Sequence, residues 1–405
     1  MQHATKAILV ALKKCDAPLP DSALVGRLFE AYLKCVPLFD GENRDAIDNM
    51  EWLCSILVET NLHVFQEVWT NKMEFLNNVV QKRPVIMHIA STLLQRETHS
   101  PTVVAIILRF CVSRLDQLGE QDEQQAAITI KWFKTVFLAV TIHAKANEPI
   151  LASHLGKLIM DSFPLAAKAS KPTHYFHLLR ALFRAIGGGG GRFELLYQEV
   201  LPLLPEMLEC LSRQLQASDG FSRDMIVELC LTVPLRLTHL LPYLSYLMQP
   251  LALALRGNPE LASQGLRTLE LCIDNLTPDF LDPTLNVVLR DLMEALFSHL
   301  RPLPANHHHS HTTIRILGKL GGRNRRLLQK DPVFRYHPHP DSSIVRLSFT
   351  GMHASMKVSP ALVVAGWVIR AGKSLQPYRQ YAFSYVESVS NLLLNEVRRG
   401  CFFFG

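Results

Sequence analysis

The chain has 405 residues, 48% hydrophobic and 19% charged, so it can bury a sizeable core and is not disordered as a whole. Its net charge of +6 is spread thinly, whereas a dedicated nucleic-acid binder concentrates its basic residues on one face or tail. The 8 cysteines show no CxxC or other metal-ligand spacing, which favours a reducing intracellular compartment over a disulfide framework.

The first residues do not predict a signal peptide, because their apolar run is short, contains Lys6 and lacks a small-residue cleavage site. The most hydrophobic stretch, residues 226–255, is interrupted by Glu228, Arg236 and several prolines. A membrane span needs about 20 apolar residues with few charges, so this stretch predicts short buried helices instead.

Helical periodicity runs through nearly the whole chain and predicts pairs of amphipathic helices. Each pair has about the 40–47 residues of a HEAT or armadillo unit in an α-solenoid. The candidate helices lie near residues 4–15, 21–36, 44–59, 62–81, 84–96, 102–118, 120–145, 149–169, 173–186, 193–216, 222–240, 242–256, 259–276, 283–300, 312–320, 360–371 and 377–398.

Five consecutive glycines, Gly187 to Gly191, follow one of these helices. A phosphate-binding loop needs GxxxxGK[ST] after a strand, but Arg192 and Phe193 follow here. The run therefore predicts a helix C-cap and a turn.

Residues 258–330 contain three helical patterns in succession. Asn258 with Pro259, and Asp282 with Pro283, each fit the N-cap and the first position of a helix. In the first helix, an apolar face lies opposite a polar face. The residues expected on that polar face are Arg267, Glu270 and Asp274.

Several phrases here and upstream carry a resemblance to a known family. They read YFHLLRALFRAIGGG, VELCLTVPLRL, LRTLELCIDNLTPDFL and IRILGKLGGRNRRLL. These phrases resemble the HEAT-repeat region of the TRRAP family, the transformation/transcription domain-associated proteins and their fungal counterparts. That family consists of very long pseudokinases of the phosphatidylinositol-3-kinase-related group. The match is good from about Lys131 to Asn395 and weaker before it.

The resemblance implies a non-catalytic scaffold in the nucleus that links acidic transcription activators to histone acetyltransferase complexes of the SAGA and NuA4 kind. The family's kinase-like domain lies far C-terminal to its HEAT region, so the resemblance implies no enzyme here. The sequence agrees, since it contains no HExxH, GxSxG, HRD or DFG motif. We therefore expect no catalytic residue, cofactor, metal, membrane contact or sequence-specific nucleic-acid contact.

A histidine-rich patch follows Pro304. It comprises His307, His308, His309 and His311, with His337 and His339 farther on. Two of these imidazoles could ligate a metal if the run were helical. No carboxylate or cysteine lies beside the run, however, and its polar context predicts a solvated loop.

Arg323, Arg325 and Arg326 form a local basic turn and match a family phrase. One interpretation is that they cap a helix. The other, and our candidate partner-binding surface, is that this turn attracts an acidic segment.

Strict alternation of side chains from Asp341 predicts a small β-hairpin insertion near 343–358, with Thr350 and Gly351 at its turn. Beyond it, Gly372, Lys373 and Ser374 resemble the end of a phosphate loop. The spacer back to Gly366 is one residue too long for that loop, so a nucleotide site is not expected.

The sequence thus predicts an all-α HEAT-type α-solenoid with a small β-hairpin insertion. We expect HEAT-like repeats at 1–130, HEAT repeats of strongest resemblance at 131–340, the β insertion at 341–359, a further helical repeat at 360–398 and a non-native tail at 399–405. The apolar end and the much longer family members indicate a fragment. The alternatives are another HEAT solenoid, such as a nuclear-transport receptor, and an enzyme with a degenerate nucleotide loop at 366–374.

Overall fold

The computed structural model describes residues 22–35, 44–187, 193–233, 240–299, 307–320, 334–337, 346–349 and 352–357, with isolated positions between 7 and 14. These residues are predominantly α-helical, as the periodicity predicts. Contacts group the chain into two compact units, Met1–Cys210 with Thr232–Leu235, and Leu211–Leu231 with Arg236–Gly405.

The helices follow one another with short connections. They are α1 (Ser22–Cys35), α2 (Arg44–Glu59), α3 (Leu62–Lys82), α4 (His88–Leu94), α5 (Ser100–Val112), α6 (Glu123–Ile142), α7 (Ala144–Lys168), α8 (Thr173–Gly187), α9 (Glu194–Val200), α10 (Leu204–Ala217), α11 (Gly220–Thr232), α12 (Leu244–Arg256), α13 (Pro259–Asn275), α14 (Pro278–His299) and α15 (His307–Leu320). Short 3₁₀ turns occur at Pro84–Met87, Leu115–Glu120, Leu201–Leu203 and Leu241–Tyr243.

Within each unit, a helix contacts the next helix but one along the chain. In the first unit, α1, α3, α5, α7 and α9 form one such succession, and α2, α4, α6 and α8 form another. In the second unit, α12 contacts α14 and α13 contacts α15. Alternate helices therefore occupy two layers, which is how stacked helical repeats bury stripes that no single helix could cover.

The core between the layers is apolar and aromatic. In the first unit, Trp69, Trp132 and Tyr175 are almost completely buried. In the second, leucines of α12, α13 and α14 meet Ile316 and Leu317 of α15. Helix α6 is long and apolar enough to cross a membrane. Half of its most apolar stretch is buried inside the protein, however, as in many core helices.

Of the two N-caps predicted from sequence, Asn258 and Asp282, only Asn258 is present, because Asp282 lies inside α14. Asn258 accepts a hydrogen bond from the Leu261 N–H at 3.0 Å, and Pro259 occupies the first turn of α13. Asp122 caps α6 by accepting from the Gln125 N–H at 2.8 Å. Each bond satisfies a backbone donor that the start of a helix leaves free.

Two of the helix starts that differ from the prediction involve a proline that does not mark the first residue. Helix α14 begins at Pro278 and not at Pro283, and α7 begins at Ala144 and not at Pro149. Both inner prolines lie in the second turn, where each removes a single hydrogen bond. The prolines near 202 and 242 instead lie in 3₁₀ turns.

Three short strands form an antiparallel sheet in the order β1 (Phe334–His337), β2 (Arg346–Phe349) and β3 (Met352–Lys357). Strands β2 and β3 pair in the stretch where alternation predicted a hairpin, with an irregular register between Leu347 and Phe349. Strand β1 was not predicted, and it pairs with β2 from Phe334 opposite Phe349.

Candidate partner-binding surfaces

The predicted binding turn, Arg323, Arg325 and Arg326, lies outside the described residues. The stretch 366–374, with Lys373, lies outside them as well. Of the glycine run, Gly187 is the last residue of α8, and the rest is not described. Other residues form the polar surfaces that the structure does describe.

The histidine run is helical, so the prediction of a solvated loop is wrong. Helix α15 begins at His307 and not at residue 312, and it carries His309 into the core, where this residue is 9% exposed. The His309 Nε2 atom lies 2.8 Å from the Ser263 hydroxyl of α13. Its ring meets the edge of the His299 ring at a centroid distance of 5.2 Å.

His299 is also buried, and its Nε2–H donates to the Leu255 carbonyl at 2.7 Å. Burial lowers the pKa of His299, the bond to Leu255 opposes this, and the neighbouring His309 lowers the pKa further. In the part of the chain that the structure describes, no three histidines, cysteines or carboxylates approach closely enough to hold a metal ion. The described histidine pair is therefore a packing contact among α12, α13, α14 and α15.

An ion-pair seam joins α13 to α15 in the second unit. Glu270 accepts hydrogen bonds from the Arg315 guanidinium and, at 3.0 Å, from Lys319 Nζ. Lys319 also lies 2.7 Å from Asp274. Burial acts to raise the pKa of Glu270, but its bonds to Arg315 and Lys319 outweigh burial and hold the pKa below its usual value.

The seam corrects the prediction for the polar face of α13. Glu270 and Asp274 were expected to face away from the core, and they do, but toward a neighbouring helix. Only 16% of the Glu270 side chain is exposed. The family phrases LRTLELCIDN and IRILGKL supply the two sides of this one interface.

A polar cavity of about 230 Å³, the amide groove, lies among α3, α5 and α6 in the first unit. Helix α3 contributes Glu74, Asn77, Asn78 and Gln81, whose spacing of three and four residues places them on one face. The sequence patterns described above do not predict this groove. The spacing of the amide side chains is the signal that could have found it.

The remaining lining of the amide groove is also rich in amides. Gln117 and Gln121 come from the connection between α5 and α6, and Gln125 and Thr129 from α6 itself. The Thr129 hydroxyl donates to Gln121 Oε1 at 2.9 Å. This bond uses the side-chain oxygen of Gln121 and not its amide nitrogen.

The aromatic and charged groups of the groove are already paired. Trp132 is buried and donates its indole N–H to Asn77 Oδ1 at 3.0 Å. Arg114 forms an ion pair with Glu74, and its guanidinium lies 4.0 Å from the centre of the Phe110 ring. The groups left for a partner are therefore mainly uncharged amides.

Comparison with known proteins decides which family carries these features. The family model for the Tra1 HEAT repeat central region matches residues 1–303, and the model for the Tra1 HEAT repeat ring region matches residues 315–400.

The chain belongs to the Tra1 HEAT-repeat family.

Relatives of the Tra1 family cover most of this chain. The "SAGA complex/NuA4 acetyltransferase complex subunit TRA1" of Saccharomyces cerevisiae is 38% identical over 86% of the chain and 9% of its own length. The human "Transformation/transcription domain-associated protein" is 37% identical over 94% of the chain and 10% of its own length. The Drosophila melanogaster "Transcription-associated protein 1" is 41% identical over 73% of the chain and 8% of its own length.

These matches confirm the resemblance that the sequence phrases indicated. They also show that the chain spans about a tenth of the length of these Tra1 relatives.

Proposed function

We propose that this chain is a non-catalytic scaffold segment of a Tra1-family coactivator subunit, one that helps to link transcription activators to histone acetyltransferase complexes of the SAGA and NuA4 kind in the nucleus. The observation that carries the proposal is that Tra1 repeat-family models match most of the chain. The two-layered helical packing supports it, because stacked repeats present extended surfaces for other subunits.

The use of the buried polar groups supports a scaffold and not an enzyme. The Glu148 carboxylate of α7 accepts from the Leu195 and Leu196 N–H groups at the start of α9, so it acts as a helix cap. Burial raises the pKa of the Cys54 and Cys230 thiols to about 12. Neither thiol is therefore poised as a thiolate nucleophile.

The proposed organisation keeps the division predicted from sequence: repeats at 1–130 and 131–340, a β insertion at 341–359, and a further repeat at 360–398. In this proposal, the paired strands β2 and β3 form the insertion within the helical array. The division is supported by the family resemblance and by the register of these strands.

Purification of the tagged protein from nuclear extract tests the proposed function. Histone acetyltransferase activity is expected to co-purify with the protein, and a form lacking residues 258–320 should retain less of it. Purified material without acetyltransferase activity would refute the proposal, and a nucleotide-dependent small GTPase in its place would indicate a transport receptor.

The proposed acidic partner is tested at Arg323, Arg325 and Arg326. Replacing all three with Glu should slow association with an acidic activation-domain peptide several-fold, because long-range attraction mainly raises the association rate. Unchanged association together with a lowered melting temperature would assign these arginines to helix capping.

A further inference from the structure

We propose that the amide groove binds the main chain of an extended peptide segment from a partner protein. The inference rests on the proposed scaffold function and specifies the chemistry of one of its contact surfaces. Within the part of the chain that the structure describes, the side-chain amides of Asn78, Gln81, Gln117 and Gln125 form no hydrogen bond with other protein groups, and all but Gln81 are exposed.

A free side-chain amide offers two N–H donors and a carbonyl acceptor. The main chain of an extended peptide presents the same groups in alternation, with one donor and one acceptor in each residue. A helical partner would not fit this chemistry, because its own backbone groups are already paired. An unpaired extended strand is therefore the complement of the groove.

The dimensions agree with a short extended segment. The α3 residues that line the groove, from Glu74 to Gln81, span about 10 Å along the helix axis at 1.5 Å per residue. An extended chain rises about 3.3 Å per residue, so about three partner residues would lie alongside them. Gln125 on α6 contributes amide groups to the same cavity, so the segment would be contacted by two helices.

The paired groups in the groove limit other modes of recognition. A nucleobase or a sugar ring could not stack on Phe110 or Trp132, because Arg114 covers Phe110 and Trp132 is buried. A strongly acidic or basic ligand needs unpaired charge, but Glu74 and Arg114 pair with each other. The recognition that remains is hydrogen bonding to uncharged polar groups, and an extended main chain presents one donor and one acceptor of this kind in each residue.

The test begins with the purified full chain and a phage-displayed library of random 12-residue peptides. Selected peptides are synthesised, and their affinities are measured for the chain and for the double variant Gln81→Ala/Gln125→Ala. Neither glutamine side chain is hydrogen-bonded within the described residues, so the variant should fold and melt like the parent. The matched control is Gln66→Ala/Gln124→Ala, which removes exposed glutamines outside the groove on the same two helices.

We expect the selected peptides to bind the double variant at least fivefold more weakly, since two hydrogen bonds are lost, and to bind the control variant normally. N-methylation of alternate peptide nitrogens should weaken binding to the parent as well, because it removes backbone donors. Failure to select any peptide, or selection of peptides that bind the parent and the double variant equally, would overturn the inference. Acetyltransferase co-purification tests the scaffold function separately, so the two proposals can fail independently.

Discussion

At the scale of the residue, the polar side chains of His309 and Glu270 are held by hydrogen bonds to a neighbouring helix. His309 was predicted to be solvated and Glu270 to lie on a polar face, yet both contact another helix. Spacing along one helix tells which residues share a face, but not which helix covers that face. The amide groove was missed for the same reason, because α3 and α6 come together only in the fold.

The buried His299 predicts a stability change in mildly acidic solution. Its folded pKa lies below the unfolded value of about 6.5, so the unfolded chain binds the proton more readily. This stabilisation is fully present above the unfolded value and is lost as the pH falls from there through the folded pKa of His299. His299→Gln can keep an N–H donor for the Leu255 carbonyl but cannot titrate.

Melting temperatures measured between pH 7.5 and 5.5 should fall less in His299→Gln than in the parent chain. Substitution of the exposed His63 by Gln is the matched control, because it removes a histidine from the surface and not from the core. Identical pH dependence in the parent and in His299→Gln would show that this histidine does not couple folding to protonation.

Loss of the ion-pair seam gives a second prediction. Glu270→Ala should destabilise the chain by about 1–3 kcal/mol, because Arg315 and Lys319 lose a partly buried acceptor. Arg267→Ala, which changes an exposed side chain of the same helix, should stay within about 0.5 kcal/mol. Denaturant unfolding would measure both, and equal effects would contradict a stabilising role for the seam.

At the scale of the element, apolar periodicity predicted the helices well, because burying one stripe per helix is what drives their packing. Their ends were harder to predict. The sequence places helix starts at Pro283 and near Pro149, but α14 and α7 begin more than one turn earlier, and each proline removes one hydrogen bond inside its helix. The helix start at Asn258 was easier to predict, since its side chain and the following proline both favour a helix start.

Two residues of α14 test the assignment of its faces. Leu292→Ala should cost about 2–5 kcal/mol, because this side chain is fully buried and its truncation leaves a cavity between helices. Val287→Ala on the same helix should cost less than about 0.5 kcal/mol, since Val287 is 85% exposed. Similar unfolding free energies for the two variants would mean that the helix packs through a different face.

At the scale of the whole molecule, the family was readable because several long phrases resemble it in the same sequence order. LRTLELCIDN and IRILGKL form the two sides of the seam between α13 and α15. The kind of partner was harder to predict from the sequence, because the proposed contact surfaces consist of arginine and amide side chains without a distinctive motif. The scaffold account therefore depends on the packed array and not on any single residue.

The most direct test of the scaffold account is replacement of the matching segment in the Saccharomyces cerevisiae relative by this chain. The account predicts that the chimaera assembles with acetyltransferase subunits and that histone acetyltransferase activity co-purifies with it. Leu292→Ala in the chimaera should reduce the recovered activity, and Val287→Ala should not. A chimaera that is well folded, as judged by its helical circular dichroism, yet recovers no acetyltransferase activity would contradict the account.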